Sequence, residues 1–389
     1  MGDGLTEKKF RVAIIGGGVI GCLTAWRLFQ RGAEPIIIER GQIGREASWA
    51  GAGILCPIQP WLYPDAFTRL IDASLALYPD LQQELESRTG ISPQWLRSGL
   101  MVPFFPDDTM NHYDAALNWS NRFDWRVEEL DAKQSKKAEP ALAEDVQKAL
   151  VWPEVGQVRN PRLLKALRTL LQHEGVEMRD QTEVKGLVET NGKVCGVKLA
   201  DGSTCEADAV LLAAGGWSGE LSKQFGISLP VKPVKGQIIL LKSQPGQLKH
   251  IVKHDRAYFV PRQDGRILVG ASMEFVGFKR GNTVAEMHGL LGGLLRLTPF
   301  LAHEEIEHQW MGFRPGTPDG LPFLGPVEDK PGLWVASGHY RNGVALAPIT
   351  ADIMSGWILG KKPKLDITCF LPDRLVQPSN RLGFPDSAV

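Results

Sequence analysis

Two arginines and a tyrosine stand where chemistry could be done. Arg314 lies in the apolar, turn-rich stretch Gly312-Phe-Arg-Pro-Gly-Thr-Pro-Asp-Gly-Leu-Pro-Phe-Leu-Gly325. Its guanidinium is a planar, permanently charged fork that can grip a carboxylate by two parallel hydrogen bonds. Tyr258, in Ala257-Tyr-Phe-Val-Pro-Arg262, alternates inward on an expected strand. Arg341 follows Tyr340 in Gly338-His-Tyr-Arg-Asn-Gly343, between a strand and the last helix. Spacing alone leaves a surface ion pair open for Arg314 and a satisfied core position open for Tyr258.

A second group of residues fits a phosphate ligand. Gly16-x-Gly18-x-x-Gly21 follows the apolar run Val12-Ala-Ile-Ile15 and opens a helix over 19–31. The glycines permit a tight turn, close approach of backbone to a pyrophosphate, and close helix–strand packing. The helix N-terminus offers free N–H groups and a positive partial charge. Glu39 lies 18 residues after Gly21, at the end of a second buried strand, Pro35-Ile-Ile-Ile-Glu39, where its carboxylate can accept from a ribose hydroxyl. The βαβ unit over 11–39 predicts a dinucleotide site for NAD or FAD. The small residues of Gly44-Arg-Glu-Ala-Ser-Trp-Ala-Gly-Ala-Gly53 let backbone pass close to something flat and large.

Other chemistry is disfavoured. His303-Glu-Glu-Ile-Glu-His308 is one residue too long for H-E-x-x-H, and on a helix the two rings would lie about 140° apart. It reads as a solvated charged helix end. No G-x-S-x-G occurs. The five cysteines are odd in number and scattered, which disfavours a disulfide scaffold or zinc ribbon and fits a reducing cytoplasmic location. Lys+Arg equals Asp+Glu, 44 against 44, which argues against a general nucleic-acid binder. The N-terminus lacks an apolar signal segment; Met1-Gly2 with Thr6 matches only loosely a myristoylation pattern. Glycines interrupt residues 12–29, the one apolar stretch of membrane-spanning length, so no membrane span is expected.

The elements that must position these residues follow from the pattern. Helical periodicity runs over 65–90. Asn160-Pro161 reads as N-cap and first turn of a helix to Gly175. Strands are expected over 176–215, with hairpins at Asn191-Gly192 and Asp201-Gly202, then over 237–241, 266–270 and 333–337. Helices follow near 283–297 and 344–359. Residues 95–150 read as an insertion outside the doubly wound sheet.

The motifs GGGVIG, IIIER, GREASWAGAGIL, GQVRNPRLL, LLAAGGWSG, PVKGQ, YFVPR, ILVGASME, GFRPGTPDGLPFLG and GHYRNGVALAP stand in that order from Arg11 to about Asp373. Together they resemble the D-amino-acid oxidase family of FAD flavoproteins, and within it the glycine-oxidising members. The resemblance implies an α/β fold: a Rossmann-like FAD domain (1–88, 152–231, 311–389) interleaved with an antiparallel-sheet substrate domain (89–151, 232–310). It implies FAD held by Gly16, Gly18, Val19, Ile20, Gly21, Glu39 and Arg40. The loop residues Glu46, Ala47, Ser48, Gly51, Ala52 and Gly53 pass near the flavin. Val184 meets the adenine, and Ala213, Ala214, Gly215 and Trp217 line the cleft. His339, Tyr340, Arg341, Asn342, Gly343 and Val344 sit at the flavin's pyrimidine end.

By the same resemblance Arg314 and Tyr258 hold the substrate carboxylate and Arg341 closes the site, with Met273, Ile54 and Tyr340 as pocket walls. A histidine that some relatives carry two residues before the tyrosine is Arg256 here, so its role does not transfer. Relatives with covalent flavin carry W-x-C; here Trp310-Met-Gly312 has glycine, which implies non-covalent FAD. The implied reaction is oxidative deamination of glycine and other small amines or D-amino acids, giving imine or oxoacid, ammonia and hydrogen peroxide, in service of thiazole formation for thiamine. The alternative is a D-amino-acid or sarcosine-type dehydrogenase with another electron acceptor. The expected partners are the amino-acid substrate and dioxygen, with no nucleic acid, and a homo-oligomer (tetramer or dimer).

Overall fold

The computed structural model describes residues 9–374 and 376, apart from 58, 109, 110 and 256. Met1, Gly2, Thr6 and Arg256 lie outside the described residues.

Aliphatic runs without polar alternation bury both faces of a strand, and here they build a mostly parallel sheet. Val12, Ala13, Ile14, Ile36 and Ile37 are wholly buried. Arg11–Ile15 pairs in parallel with Glu34–Ile38 on one side and Ala209–Leu212 on the other. Leu333–Ser337 and Glu177–Arg179 extend the sheet in parallel, and Phe323–Pro326 closes one edge antiparallel. The helix Val19–Gln30 packs on this sheet with Asn160–His173 and Ala347–Ile358, joined in one apolar core. At about 1.5–3 kcal/mol for each fully buried aliphatic side chain, this core dominates the stability of the layer. On the sheet's other face, the hairpin Val184–Thr190 to Lys193–Leu199 turns through Asn191 (φ 51°) and Gly192 (φ 75°), the pair of left-handed residues a tight hairpin requires.

The second sheet has eight strands, in the order Glu305–Gly316, Lys232–Lys242, Arg266–Gly270, Ala257–Pro261, Ile251–His254, Leu100–Phe104, Lys148–Trp152 and Glu128–Asp131. Three strands that begin within residues 95–150 therefore feed this sheet and not the parallel one, while Leu96–Arg97 pairs with Gly156–Gln157 in a small separate sheet. Its neighbours are antiparallel except at the Ile251–His254 and Leu100–Phe104 pair. Glu305–Gly316 runs through residue 311, so one continuous strand spans the position where the sequence division ends its second substrate segment.

Several local expectations need correction. The 65–90 periodicity is two helices, Asp65–Leu75 and Tyr78–Thr89, the second restarted by Pro79 in its first turn. Asn160 is not a cap but the first helical residue; its side chain reaches away to the Ser48 carbonyl. The last helix begins at Ala347, after a turn in which Leu346 N–H donates to the carbonyl of Asn342. Residues 303–308 are not a helix end: a 3-10 turn closes at His303 and a strand starts at Glu305.

Candidate active site

One cavity of about 490 Å³ joins the two sheets. Of the residues that the sequence assigns to cofactor or substrate, all but Gly21 and Asn342 stand on its wall. Gly21 acts inside the fold: a Cβ there would meet the Gly16 carbonyl at 2.0 Å, so the glycine lets helix and turn touch. Asn342 is 2% exposed, and its side-chain amide makes no hydrogen bond among the described residues.

At the parallel-sheet end, Glu39 stabilises the glycine turn. One carboxylate oxygen accepts from Gly17 N–H and the other from Gly41 N–H, both at 2.8 Å. A Cβ on Gly16 would lie 2.4 Å from the Ala213 carbonyl, so only a glycine lets the turn touch the end of the neighbouring strand. Ser48 Oγ accepts from Val19 N–H at 3.0 Å, tying the small-residue loop to the helix N-terminus. Arg40 lies over the Trp217 ring, 4.6 Å from its centroid.

The loop 46–54 is held by residues that sequence reasoning misses. Asn160 Nδ2 donates to the Ser48 carbonyl at 2.7 Å. Arg262, buried, donates to the carbonyls of Ala52 (2.7 Å) and Val158 (3.0 Å) and to Gln157 Oε1 (2.6 Å). Burial, aided by the charge of Arg159, pushes the Arg262 pKa down to about 9. Motifs flag neither role, because each partner lies 100 or more residues away.

At the other end the eight-stranded sheet presents Arg314 and Tyr258. The guanidinium lies against Gly236: a Cβ there would sit 2.3 Å from Arg314 Nη1. Tyr258 lies against Gly270 in the same way, where a Cβ would sit 2.6 Å from the ring and its hydroxyl. Two glycines thus make room for the two polar side chains. Their strands are separated by two others, yet the guanidinium comes close enough to the phenol for its charge to act on it. Arg314 Nη1 also donates to the Ser272 carbonyl at 3.1 Å, and no carboxylate pairs with Arg314 among the described residues. Burial raises the Tyr258 pKa, the adjacent Arg314 charge opposes the rise, and the phenol stays protonated. Arg341 Nη2 and Tyr340 Oη both donate to Met273 Sδ at 3.0 Å, which brings these three predicted residues together. Ile54 and His339 stand on the same wall. Burial pushes the His339 pKa down to about 3, so its ring is neutral, with Nε2 3.1 Å from Thr350 Oγ1.

The wall fits FAD on the chain's own evidence. A Cβ on Gly18 would meet only Ser48 Oγ, at 3.2 Å, and one on Gly215 would meet nothing within 4 Å, so each would otherwise fill open space on the cavity wall. Asn160 Oδ1 is buried on that wall without a partner. Gly312 packs against Ala50, whose Cβ would be 2.6 Å from a Cβ at 312, so a cysteine could not be accommodated there without displacing the loop. No group of three or more His, Cys, Asp or Glu among the described residues could hold a metal, and no helix among them is long and apolar enough to cross a membrane.

Comparison with known proteins agrees with this geometry. The family described as FAD dependent oxidoreductase (DAO) matches residues 11–357. A glycine oxidase of Pseudomonas aeruginosa is 40% identical over 363 residues, 93% of this chain and 98% of its own length. A Synechocystis protein named bifunctional protein ThiO/ThiG is 37% identical over 95% of this chain and 54% of its own length. The crystal structure of glycine oxidase from Geobacillus kaustophilus superposes with a TM-score of 0.89 at 32% identity, covering 95% of this chain and all of that one.

Proposed function

The chain belongs to the FAD-dependent oxidoreductase (DAO) family, and from that premise we propose that it oxidatively deaminates glycine and other small amines or D-amino acids. The observation that carries this reading is the pairing of Arg314 with Tyr258 on the wall that also holds the glycine turn. An arginine in a cavity without an acidic partner costs desolvation free energy that an arriving carboxylate offsets. Its fork takes the substrate carboxylate in two hydrogen bonds, and Tyr258 donates a third. Three bonds to one group fix the substrate's orientation, and with it the position of Cα and the amine.

When bound, FAD supplies the two-electron acceptor for the amine and returns the electrons to dioxygen, forming hydrogen peroxide. The chain's part is placement. The 46–54 loop, held by Asn160 and Arg262, sets where the isoalloxazine can lie. The neutral His339, with Tyr340, Arg341, Gly343 and Val344 on the same wall, would stand at its pyrimidine end. No side-chain base is assigned, because the neutral amine needs orientation and not deprotonation at carbon. The FAD is non-covalent, since position 312 is glycine. The imine hydrolyses to oxoacid and ammonia or enters thiazole formation; the fused ThiO/ThiG name of the Synechocystis relative supports the latter. In this reading the segments 1–88, 152–231 and 311–389, less the part of Glu305–Gly316 that belongs to the eight-stranded sheet, make up the FAD domain and the rest the substrate domain, with assembly into a homo-oligomer in the cytoplasm.

A peroxide assay across glycine, sarcosine, D-alanine, D-proline and L-alanine tests the reading. Peroxide from glycine and not from L-alanine is expected. Flavin reduction by glycine without peroxide in air would favour the dehydrogenase alternative.

A further inference from the structure

The cavity wall carries a cation that the oxidation of glycine does not use. Lys253, on Ile251–His254, stands directly opposite Tyr258 on the neighbouring antiparallel strand. Directly opposed residues project from the same face, and both Lys253 and Tyr258 line the cavity. Its Nζ donates to the main-chain carbonyl of Asp255 at 2.9 Å and forms no ion pair among the described residues. Among the described residues the substrate end of the wall therefore shows three cations, Lys253, Arg314 and Arg341, against the single carboxylate of Asp255.

A lysine placed in such a cavity without a carboxylate partner is unfavourable. Burial, and after it repulsion from Arg341, pushes its pKa down to about 8, while Asp255 and the Cys56 thiol pull the other way. An anion beside Nζ would relieve both costs. In the function proposed above the carboxylate of glycine goes to Arg314 and Tyr258, which leaves Lys253 without an anion.

We propose that Lys253 recognises a second carboxylate, so that this site prefers amino substrates carrying two carboxylates over those carrying one. The proposal rests on the reading that Arg314 and Tyr258 bind the first carboxylate. The carboxylate that would gain most is one on the substituent of the amine or of Cα, reaching past Tyr258 toward Ile251–His254. N-carboxymethylglycine has this form, and its oxidation at one methylene is the same two-electron amine oxidation, with dioxygen as oxidant.

Binding to the FAD-loaded protein can be read from the flavin spectrum without turnover, using acetate as the one-carboxylate probe and malonate, succinate and glutarate as two-carboxylate probes. In wild type the best dicarboxylate should bind roughly tenfold or more tightly than acetate, the worth of one charge-assisted bond. Lys253→Met and Lys253→Gln should bring that ratio close to one, and Lys253→Arg should retain most of it. Having two neutral variants guards against one that fails to fold or to load FAD. A wild-type ratio near one, or a ratio unchanged in a neutral variant, overturns the proposal while leaving the glycine reading intact. Acetate that leaves the flavin spectrum unperturbed and fails to compete with glycine overturns both.

Discussion

Arg314 shows how a residue's chemistry and its geometry are read from different sources. Its type and its apolar, turn-rich surroundings already suggest carboxylate binding. What the sequence hides is the bare backbone of Gly236 beside it, on a strand about 80 residues earlier. Arg314→Lys keeps the charge and loses the fork. We expect a loss of ~1.5–3 kcal/mol, roughly 10- to 150-fold in kcat/KM for glycine, mostly in KM, with FAD content unchanged. Tyr258→Phe acts on the same carboxylate, so the double variant should be less than additive. A kcat/KM within twofold of wild type for Arg314→Lys would move the clamp to Arg341. His339 gives a pH prediction. Its folded pKa, about 3, lies below the ordinary value near 6.5, so the unfolded chain takes up the extra proton. The stability it preserves is present above pH 6.5 and is lost as pH falls toward 3, amounting to about 2 kcal/mol at pH 5. In urea unfolding at saturating FAD, His339→Gln should show a drop between pH 7.5 and pH 5 that is smaller by about that amount. An equal drop in both proteins would contradict the neutral buried ring.

At the scale of elements, the βαβ unit is legible because its signals are local: an unbroken aliphatic run, three spaced glycines, and an acid at the next strand's end. The late strand Leu333–Ser337 is equally plain. Where sequence and structure part, the physical cause is shared. Asn160 has the composition of a cap, but its amide is recruited by Ser48, 112 residues earlier. The 303–308 segment has helix-favouring acids, but pairing with Lys232–Lys242 draws it into a strand. Two predictions belong here. A methyl at Gly236 would displace the Arg314 guanidinium, so Gly236→Ala should raise KM for glycine about tenfold or more with FAD still bound. FAD loss at unchanged KM would show instead that the strand, not the clamp, had been disturbed. Glu39 holds Gly17 and Gly41 through both oxygens, so Glu39→Ala should loosen the whole turn. It should weaken FAD retention on dialysis more than turnover of the FAD-saturated enzyme; equal retention would contradict its assignment.

Two larger sheets among the described residues make one cavity between them, and neither sheet alone completes it. The glycine turn, Glu39 and Val184 come with the parallel sheet and its hairpin; Tyr258, Lys253 and Arg314 come with the eight-stranded one. Their juxtaposition depends on register between distant strands. That is why the order of ten motifs points to the architecture while Lys253, Asn160 and Arg262 carry no local signal of their roles. The central claim is that this single cavity holds FAD at one end and a small amino acid at the other, close enough for the amine to be oxidised. Mixing the purified FAD-loaded protein with glycine in the absence of oxygen tests it most directly. Bleaching of the oxidised-flavin absorbance, saturable in glycine and reversed on admitting air with formation of peroxide, is the result expected. A flavin spectrum that stays oxidised under saturating glycine and the other small amines would contradict the account.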